Sequence, residues 1–301
     1  MSFDFKVSNQ IWRYDTDLGS FIVKWMQAPD ALYGHQDAAS RLELVGQVVA
    51  ALRQAGLPVE EILPRADGAF IARDEGGLTR VFRLEQTGPA DAALAVRSLR
   101  ELHRNGLAAT PAALRAQLEG HTTFYPLATI AHELPAVRQF AERENLSDIL
   151  ADWELVEWAV ASSIAYRHRS QPRKAIVHTD AHPNNVLFSN GRAILIDCDN
   201  VVIDYPFQCL GFTILRFYLS AADRSSRRLA AATQAHGDGD PAFIADLVHG
   251  MLSLETAKSV RILFRVMRTG TYANFVDNVS RLHIANLNAI APLFRDYCCD
   301  A

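Results

Sequence analysis

AIVHTDAHPNNVLFSNGRAILIDCDN, residues 175–200, is the stretch of this 301-residue chain whose reading decides the fold. Ala175 to Val177 is short and apolar, a strand candidate. Val186 to Phe188 and Ala193 to Ile196 flank Ser189-Asn190-Gly191, and Asn-Gly between two apolar runs is a strong signal for a tight hairpin. The polar residues fall at the ends of these strands: His178, Asp180 and Asn185 before the hairpin, Asp197 and Asp199 after it. Strand ends and the loops they support are where a rigid scaffold presents reactive groups.

The pattern is H-x-D-x-x-x-x-N, with an Asp twelve residues after the Asn. Phosphoryl transfer needs these parts: a carboxylate to orient the attacking hydroxyl, hard oxygen ligands for magnesium, and a lysine on the phosphates. Asp180 can accept the hydroxyl proton. Asn185 and Asp197 can supply the oxygens, and the hairpin lets the two loop ends converge without a long insertion. His178 suits bracing of the loop better than reaction. His182 is either a substrate contact or a solvated loop residue. A zinc site lacks a third His or Cys nearby. Asp199 either assists the metal or caps a turn.

Outward from this segment the chain divides in two. Before it, strands are expected at 10–14 and 20–25 around an Asp/Gly turn, a helix over 36–55, and strands at 69–73 and 80–86 on either side of Glu75-Gly76-Gly77. Leu42, Val45, Val49 and Leu52 give that helix its apolar stripe, and Gly56 with Pro58 ends it. Around Thr87-Gly88-Pro89 the pattern turns helical: 90–105 with Gly106 as a stop, then 134–150 and 153–169, with 106–131 undetermined. After Gly211 helices resume, with a loop at 236–241. The expectation is an α+β protein, with residues 1–86 as a strand-rich lobe and 87–301 as a larger, mainly helical one.

HTDAHPNNVLF followed by ILIDCD resembles the catalytic and metal-binding segments of the aminoglycoside phosphotransferase and choline kinase-like superfamily, whose members share the bilobal protein-kinase-like fold. The resemblance implies an ATP- and Mg²⁺-dependent transfer of the γ-phosphoryl group to a small-molecule hydroxyl, with Asp180 as base, His178 as its catalytic-loop companion, and Asn185 and Asp197 on the metal. In the same comparison, Phe21-Ile22-Val23-Lys24 resembles the strand carrying the phosphate-binding lysine. Glu43, nineteen residues on, resembles the glutamate that pairs with it, with Asp37 as the rival partner. Ser8 and Asn9 fall in the nucleotide loop, and Glu85-Gln86-Thr87 resembles the hinge that bonds adenine. Two departures stand out. Lys6-Val7-Ser8-Asn9-Gln10 contains no glycine, so backbone approach to phosphate is less close. Cys209 stands where many relatives carry a second Asp that anchors the catalytic loop.

Composition excludes other classes. The chain is 49% hydrophobic and 21% charged, a globular balance. Thirty Lys and Arg against 34 Asp and Glu give a net charge of -4, which argues against a nucleic-acid or membrane-surface partner. Four cysteines form no scaffold pattern. No run reaches the roughly 18 apolar residues of a membrane span, and the start reads as no signal peptide, so a cytoplasmic location is expected. Lys258, Arg261, Arg265 and Arg268 share one predicted helix face, either solvated or a site for an anionic substrate group. A bacterial protein kinase of the same fold and a nucleotide-binding regulator without turnover are the competing readings. The sequence leaves the acceptor and the oligomeric state open.

Overall fold

The structure, a computed structural model, describes residues 9–27, 37–74, 76–84, 88–119, 127–170, 173–189, 191–218, 241–269 and 281–298. In chain order its elements are β1 (Asn9–Thr16), β2 (Gly19–Gln27), α1 (Ala38–Gln54), β3 (Ala72–Asp74), β4 (Gly77–Arg83), α2 (Ala92–Ala109), α3 (Ala112–Glu119), α4 (Leu127–Arg143), α5 (Ser147–Ala151) and α6 (Trp153–Ser170). There follow β5 (Ala175–Val177), a 3₁₀ turn (Pro183–Asn185), β6 (Val186–Ser189), β7 (Arg192–Leu195), a second 3₁₀ turn (Cys198–Asn200) and β8 (Val202–Asp204). Three helices end the chain: α7 (Pro206–Tyr218), α8 (Pro241–Thr269) and α9 (Arg281–Cys298). These form two compact units that interleave along the sequence. One gathers β1 to α3 with β5 to β8; the other gathers α4 to α6 with α7 to α9.

In the first unit a four-stranded antiparallel sheet runs in the order β1-β2-β4-β3. The expected hairpin is present. The next pair is shifted from expectation: β3 is Ala72–Asp74, and β4 starts at Gly77 and ends at Arg83. Lys24 lies opposite Arg80 in the register, so both side chains leave the same face of the sheet. Helix α1 covers the sheet. Asp37 caps it by accepting from the Ala39 N–H at 3.0 Å, and Leu42, Val45, Val49 and Leu52 are fully buried. At roughly 1.5–3 kcal/mol for each large side chain buried, this stripe fixes α1. Met26, Ala38, Ala39, Leu42, Ile71 and Leu78 form the core between them.

Helix α2 runs through Gly106, which was expected to stop it. Glycine costs a helix about 1 kcal/mol relative to alanine. Here a Cβ at 106 would come within 2.9 Å of the Ile176 Cβ, so glycine lets α2 lie close on β5. On the neighbouring hairpin β6–β7, the Ser98 hydroxyl of α2 donates to the Ala193 carbonyl at 2.7 Å. β5 pairs with β8, a strand the sequence reading did not foresee.

The second unit is helical. The helix expected over 134–150 is two: α4 begins earlier and passes through Pro135, then breaks at Asn145, whose φ is 54°. α6 lies where it was expected, with Trp153, Val156 and Val160 buried. The 29-residue α8 packs on α4, α6, α7 and α9. Gly250 permits this, because a Cβ there would strike the Phe207 carbonyl of α7. Of the basic face expected on α8, the two residues whose side chains are described both have partners inside the unit. Lys258 is buried with its Nζ 3.6 Å from the Phe212 ring centre, and Arg261 pairs with Glu133. The side chains of Arg265 and Arg268 lie outside the described residues, as does most of the 236–241 loop. Cys198, Cys209 and Cys298 are buried, and none of these three forms a disulfide. No described helix is long and apolar enough to cross a membrane.

Candidate active site

The site is built on three short pieces of the first unit: the middle of β2, the loop after β5 and the turn after β7. Strand alternation aims Lys24 at the turn after β7. Its Nζ lies 2.6 Å from Asp197 Oδ1 and 2.6 Å from Asp199 Oδ2. Arg80 bonds the other oxygen of Asp199 and also donates to the Leu42 carbonyl of α1. Arg41 of α1 donates to the Val201 carbonyl at 3.0 Å. Burial opposes ionisation of Asp199, yet Lys24 and Arg80 outweigh it and hold its carboxyl at about 2. Burial likewise works against the Lys24 ammonium, and the two carboxylates reverse this and raise it above its usual range. Asp197 is pushed up, first by loss of water and then by the Asp199 charge beside it, against the pull of Lys24. Of the two aspartates it is the open one: 43% of its side chain is exposed, against 7% for Asp199.

The loop after β5 is tied to the turn after β7 by three bonds. The buried His178 Nε2 lies 2.8 Å from the Ile196 carbonyl, the Thr179 hydroxyl donates to the Asn200 carbonyl at 3.2 Å, and the Ile196 N–H donates to the Asn185 carbonyl at 3.0 Å. With Nε2 donating, Nδ1 is the unprotonated ring nitrogen, and it meets no hydrogen-bond partner. Burial lowers the His178 pKa, which keeps the ring neutral. It braces the loop and has no exposed atom with which to react. Asn185 donates from Nδ2 to the Asp180 carbonyl at 3.0 Å and toward Asp180 Oδ2 at 3.4 Å. That use of Nδ2 leaves Oδ1 as the atom suited to a cation. Asp180 keeps 37% of its side chain exposed, with His182 Nε2 3.7 Å from its Oδ2.

The structure places Lys24, His178, Asp180, Asn185 and Asp197, all singled out from the sequence, on neighbouring pieces of one unit. Glu43 is not brought to Lys24. Its Oε2 accepts from the Phe70 and Ile71 N–H groups at 2.8 and 3.1 Å, and Asp199 takes the place beside the lysine. Asp37 is also away from it, serving as the α1 cap. Ser8, Glu85 and Thr87 lie outside the described residues; of Asn9 only the backbone is described, at the start of β1. Three participants were missed. Arg80 could have been found: β4 alternates, and Arg80 occupies an inward position between Leu78 and Phe82. Arg41 lies on the buried side of α1. Glu60 is buried, and its two oxygens accept from the N–H groups of Asp197 and Cys198 at 3.1 and 2.8 Å. Burial pushes its carboxyl up to about 7, with the Asp199 and Asp197 charges adding to it. Nothing in Val59-Glu60-Glu61-Ile62 marks the first glutamate over the second.

Among the described residues no group of three or more His, Cys, Asp or Glu side chains is placed to hold a metal. Magnesium asks for less from a protein, usually one or two carboxylates with the rest of its shell from phosphates and water. One open carboxylate, Asp197, and one amide oxygen, on Asn185, fit that demand.

Several solved structures share the architecture over nearly the whole chain. An ethanolamine kinase from Plasmodium vivax aligns with a TM-score of 0.66 at 12% identity, covering 97% of this chain and 82% of that one. Spectinomycin phosphotransferase in complex with ADP and spectinomycin aligns with a TM-score of 0.57 at 14% identity, covering 94% and 85%. A choline kinase from Streptococcus pneumoniae aligns with a TM-score of 0.56 at 16% identity, covering 93% and 90%. At these identities the likeness is one of fold, and it is the α+β fold expected from the catalytic segment. A comparison with curated proteins gave no match. The model of the phosphotransferase enzyme family matches residues 3–247, and the chain belongs to that family.

Proposed function

We propose that this protein is a small-molecule kinase that moves the γ-phosphoryl group of ATP to a hydroxyl, with magnesium, using Asp180 as base. The observation that carries the reading is the placement of Lys24 against Asp197 and Asp199, on a turn hydrogen-bonded to the loop of Asp180 and Asn185. Lys24 and Asp197 spend their charges on each other. A nucleotide with its cation offers each a new partner of opposite sign: phosphate for Lys24, the cation for Asp197. Asp199, held ionised by Lys24 and Arg80, keeps the ammonium aimed during the exchange. Asn185 Oδ1 and Asp197 would hold magnesium, which would neutralise charge on the phosphate oxygens. Asp180 is open enough to receive a hydroxyl, accept its proton and aim its oxygen. His178 keeps that loop in place through the Ile196 carbonyl. In this division of labour residues 1–86 hold the nucleotide, with Ser8, Asn9, Glu85 and Thr87 assigned to it by resemblance, and 87–301 carry the base, the metal ligands and the acceptor.

Related folds support the class of ligand. Spectinomycin phosphotransferase was solved with ADP and spectinomycin, and an amicoumacin kinase with AMP-PNP, Ca²⁺ and Ami. The test is a coupled ADP-release screen over aminoglycosides, choline, amino-alcohols, sugars and nucleosides, with ATP and magnesium. Acceptor-dependent ADP release supports the proposal. ATP binding with no release above background on any acceptor, and no change on Asp180→Asn, supports the regulator instead.

A further inference from the structure

Glu60 sits beyond α1 on a segment whose Val59 pairs in parallel with Leu195 at the end of β7. The Glu60 N–H donates to the Leu195 carbonyl and the Leu195 N–H to the Pro58 carbonyl, each at 2.9 Å. These bonds fix the residue beside the turn that carries Asp197. Its carboxylate is divided: Oε2 takes the Asp197 N–H at 3.1 Å, and Oε1 takes the Cys198 N–H at 2.8 Å. Asp197 stands in left-handed backbone, with φ 60° and ψ 47°, which a residue with a Cβ rarely adopts unless its surroundings hold it there. No side chain caps the following 3₁₀ turn from the Asp197 position itself.

We propose that Glu60 is the positioning residue that holds the Asp197–Cys198 backbone in this conformation and so presents the Asp197 carboxylate to the cation. Burying a carboxylate beside Asp197 and Asp199 is unfavourable as packing alone. An apolar residue of equal volume would fill the space, but would leave two consecutive N–H groups without acceptors. A carboxyl group offers one oxygen to each of two successive donors, which an amide or an apolar side chain cannot do. The link to the cation rests on the reading of Asp197 as metal ligand; the holding of the turn does not.

The experiment has two readouts on the full chain, wild type and Glu60→Gln, which is close in size but has one oxygen. The first is hydrogen exchange of the Asp197 and Cys198 amides. They should be protected in the wild type and exchange about tenfold faster or more in the variant. The second is titration of a fluorescent ATP analogue with and without magnesium. The magnesium-dependent gain in affinity should fall about tenfold, with magnesium-free affinity retained. Unprotected amides in the wild type would overturn the holding role even if the variant fails to fold. An unchanged magnesium effect in a folded variant would overturn the presentation of Asp197. A wild type with no magnesium effect would instead sink the metal-ligand reading, while amide exchange still decides whether Glu60 holds the turn.

Discussion

Each compact unit contains a knot of buried charge, and the two knots are closed to different degrees. In the sheet-bearing unit Lys24 faces two aspartates, and one of them, Asp197, keeps 43% of its side chain open. In the helical unit Glu255 is wholly covered. Its Oε2 takes the His283 ring at 2.5 Å and the Asn286 amide at 2.9 Å, with Arg216 3.7 Å from Oε1. Burial opposes the Glu255 charge, and the His283 bond and the nearby charges more than restore it, leaving its pKa lowered. A closed knot holds α7, α8 and α9 in register and can exchange nothing. An open one leaves a charge in contact with water, where a ligand of opposite sign can replace its partner. The difference separates charges that hold the fold from charges that bind, and each can be probed alone.

The largest effect is expected in the open knot's neighbourhood. Asp180→Asn should lower turnover on an identified acceptor by about 10²–10⁴-fold, the usual worth of a positioned base. Nucleotide affinity in magnesium and the melting temperature should stay near wild type, which steady-state kinetics, titration and calorimetry check together. Near-wild-type turnover would remove Asp180 from the base role.

Glu255→Ala should do the reverse. Removing one partner of a buried charged group costs about 3–5 kcal/mol, seen as a large fall in the denaturant midpoint. The fraction that remains folded should bind the ATP analogue normally. A variant of wild-type stability would mean that the closed knot does not hold the helices.

Acid should act on the helical unit through His249, whose Nε2 lies 3.0 Å from the Ser163 carbonyl and whose ring stacks on Tyr166. Burial pushes its pKa down to about 4. Above about pH 6.5 the ring is neutral folded and unfolded, and the stability is fully present. As the pH falls toward 4, the unfolded chain takes up a proton that the folded protein refuses, so about 3 kcal/mol is lost. His249→Gln should flatten most of that decline in urea melts between pH 7 and 4. The buried His178 works in the same direction, so a shallower slope should remain. An undiminished slope would put the titrating group elsewhere.

The smallest effect is expected at Glu43. Glu43→Ala should cost roughly 1–3 kcal/mol of stability, from the Phe70 and Ile71 N–H groups it leaves without their acceptor. Nucleotide affinity should be unchanged, because Glu43 is not the partner of Lys24. A tenfold loss of ATP affinity in a folded variant would return it to the nucleotide site.

What could be read in advance follows the range of the interactions. The hairpin β6–β7 announced itself through Asn190-Gly191, and spacing along one loop placed His178, Asp180 and Asn185 together. Lys24 stood out as a lysine inside an apolar strand. The rest depended on contacts between residues far apart in sequence. Helical spacing alone could not tell Glu43 from Arg41, since which face of α1 turns inward is set by the sheet beneath it. Gly106 reads as a helix stop until Ile176 of β5 is set against it. Lys258 and Arg261 read as a face either solvated or open to an anionic group because Phe212 and Glu133, their partners on α7 and α4, are 46 and 128 residues away. Pro135 gave no break in α4, while Asn145, in left-handed backbone, marks one.

The central claim is that Asp197, the more exposed of the two aspartates paired with Lys24, is the carboxylate that receives the cation of a bound nucleotide. The direct measurement is the affinity of Asp197→Asn for a fluorescent ATP analogue, titrated with and without magnesium beside the wild type. One carboxylate charge is thereby removed from a shell that takes only one or two. The magnesium-dependent gain should be abolished, with magnesium-free affinity equal to or above that of the wild type, since Lys24 loses a competitor for the phosphates. A gain as large in Asp197→Asn as in the wild type would contradict the account and move the cation to another residue.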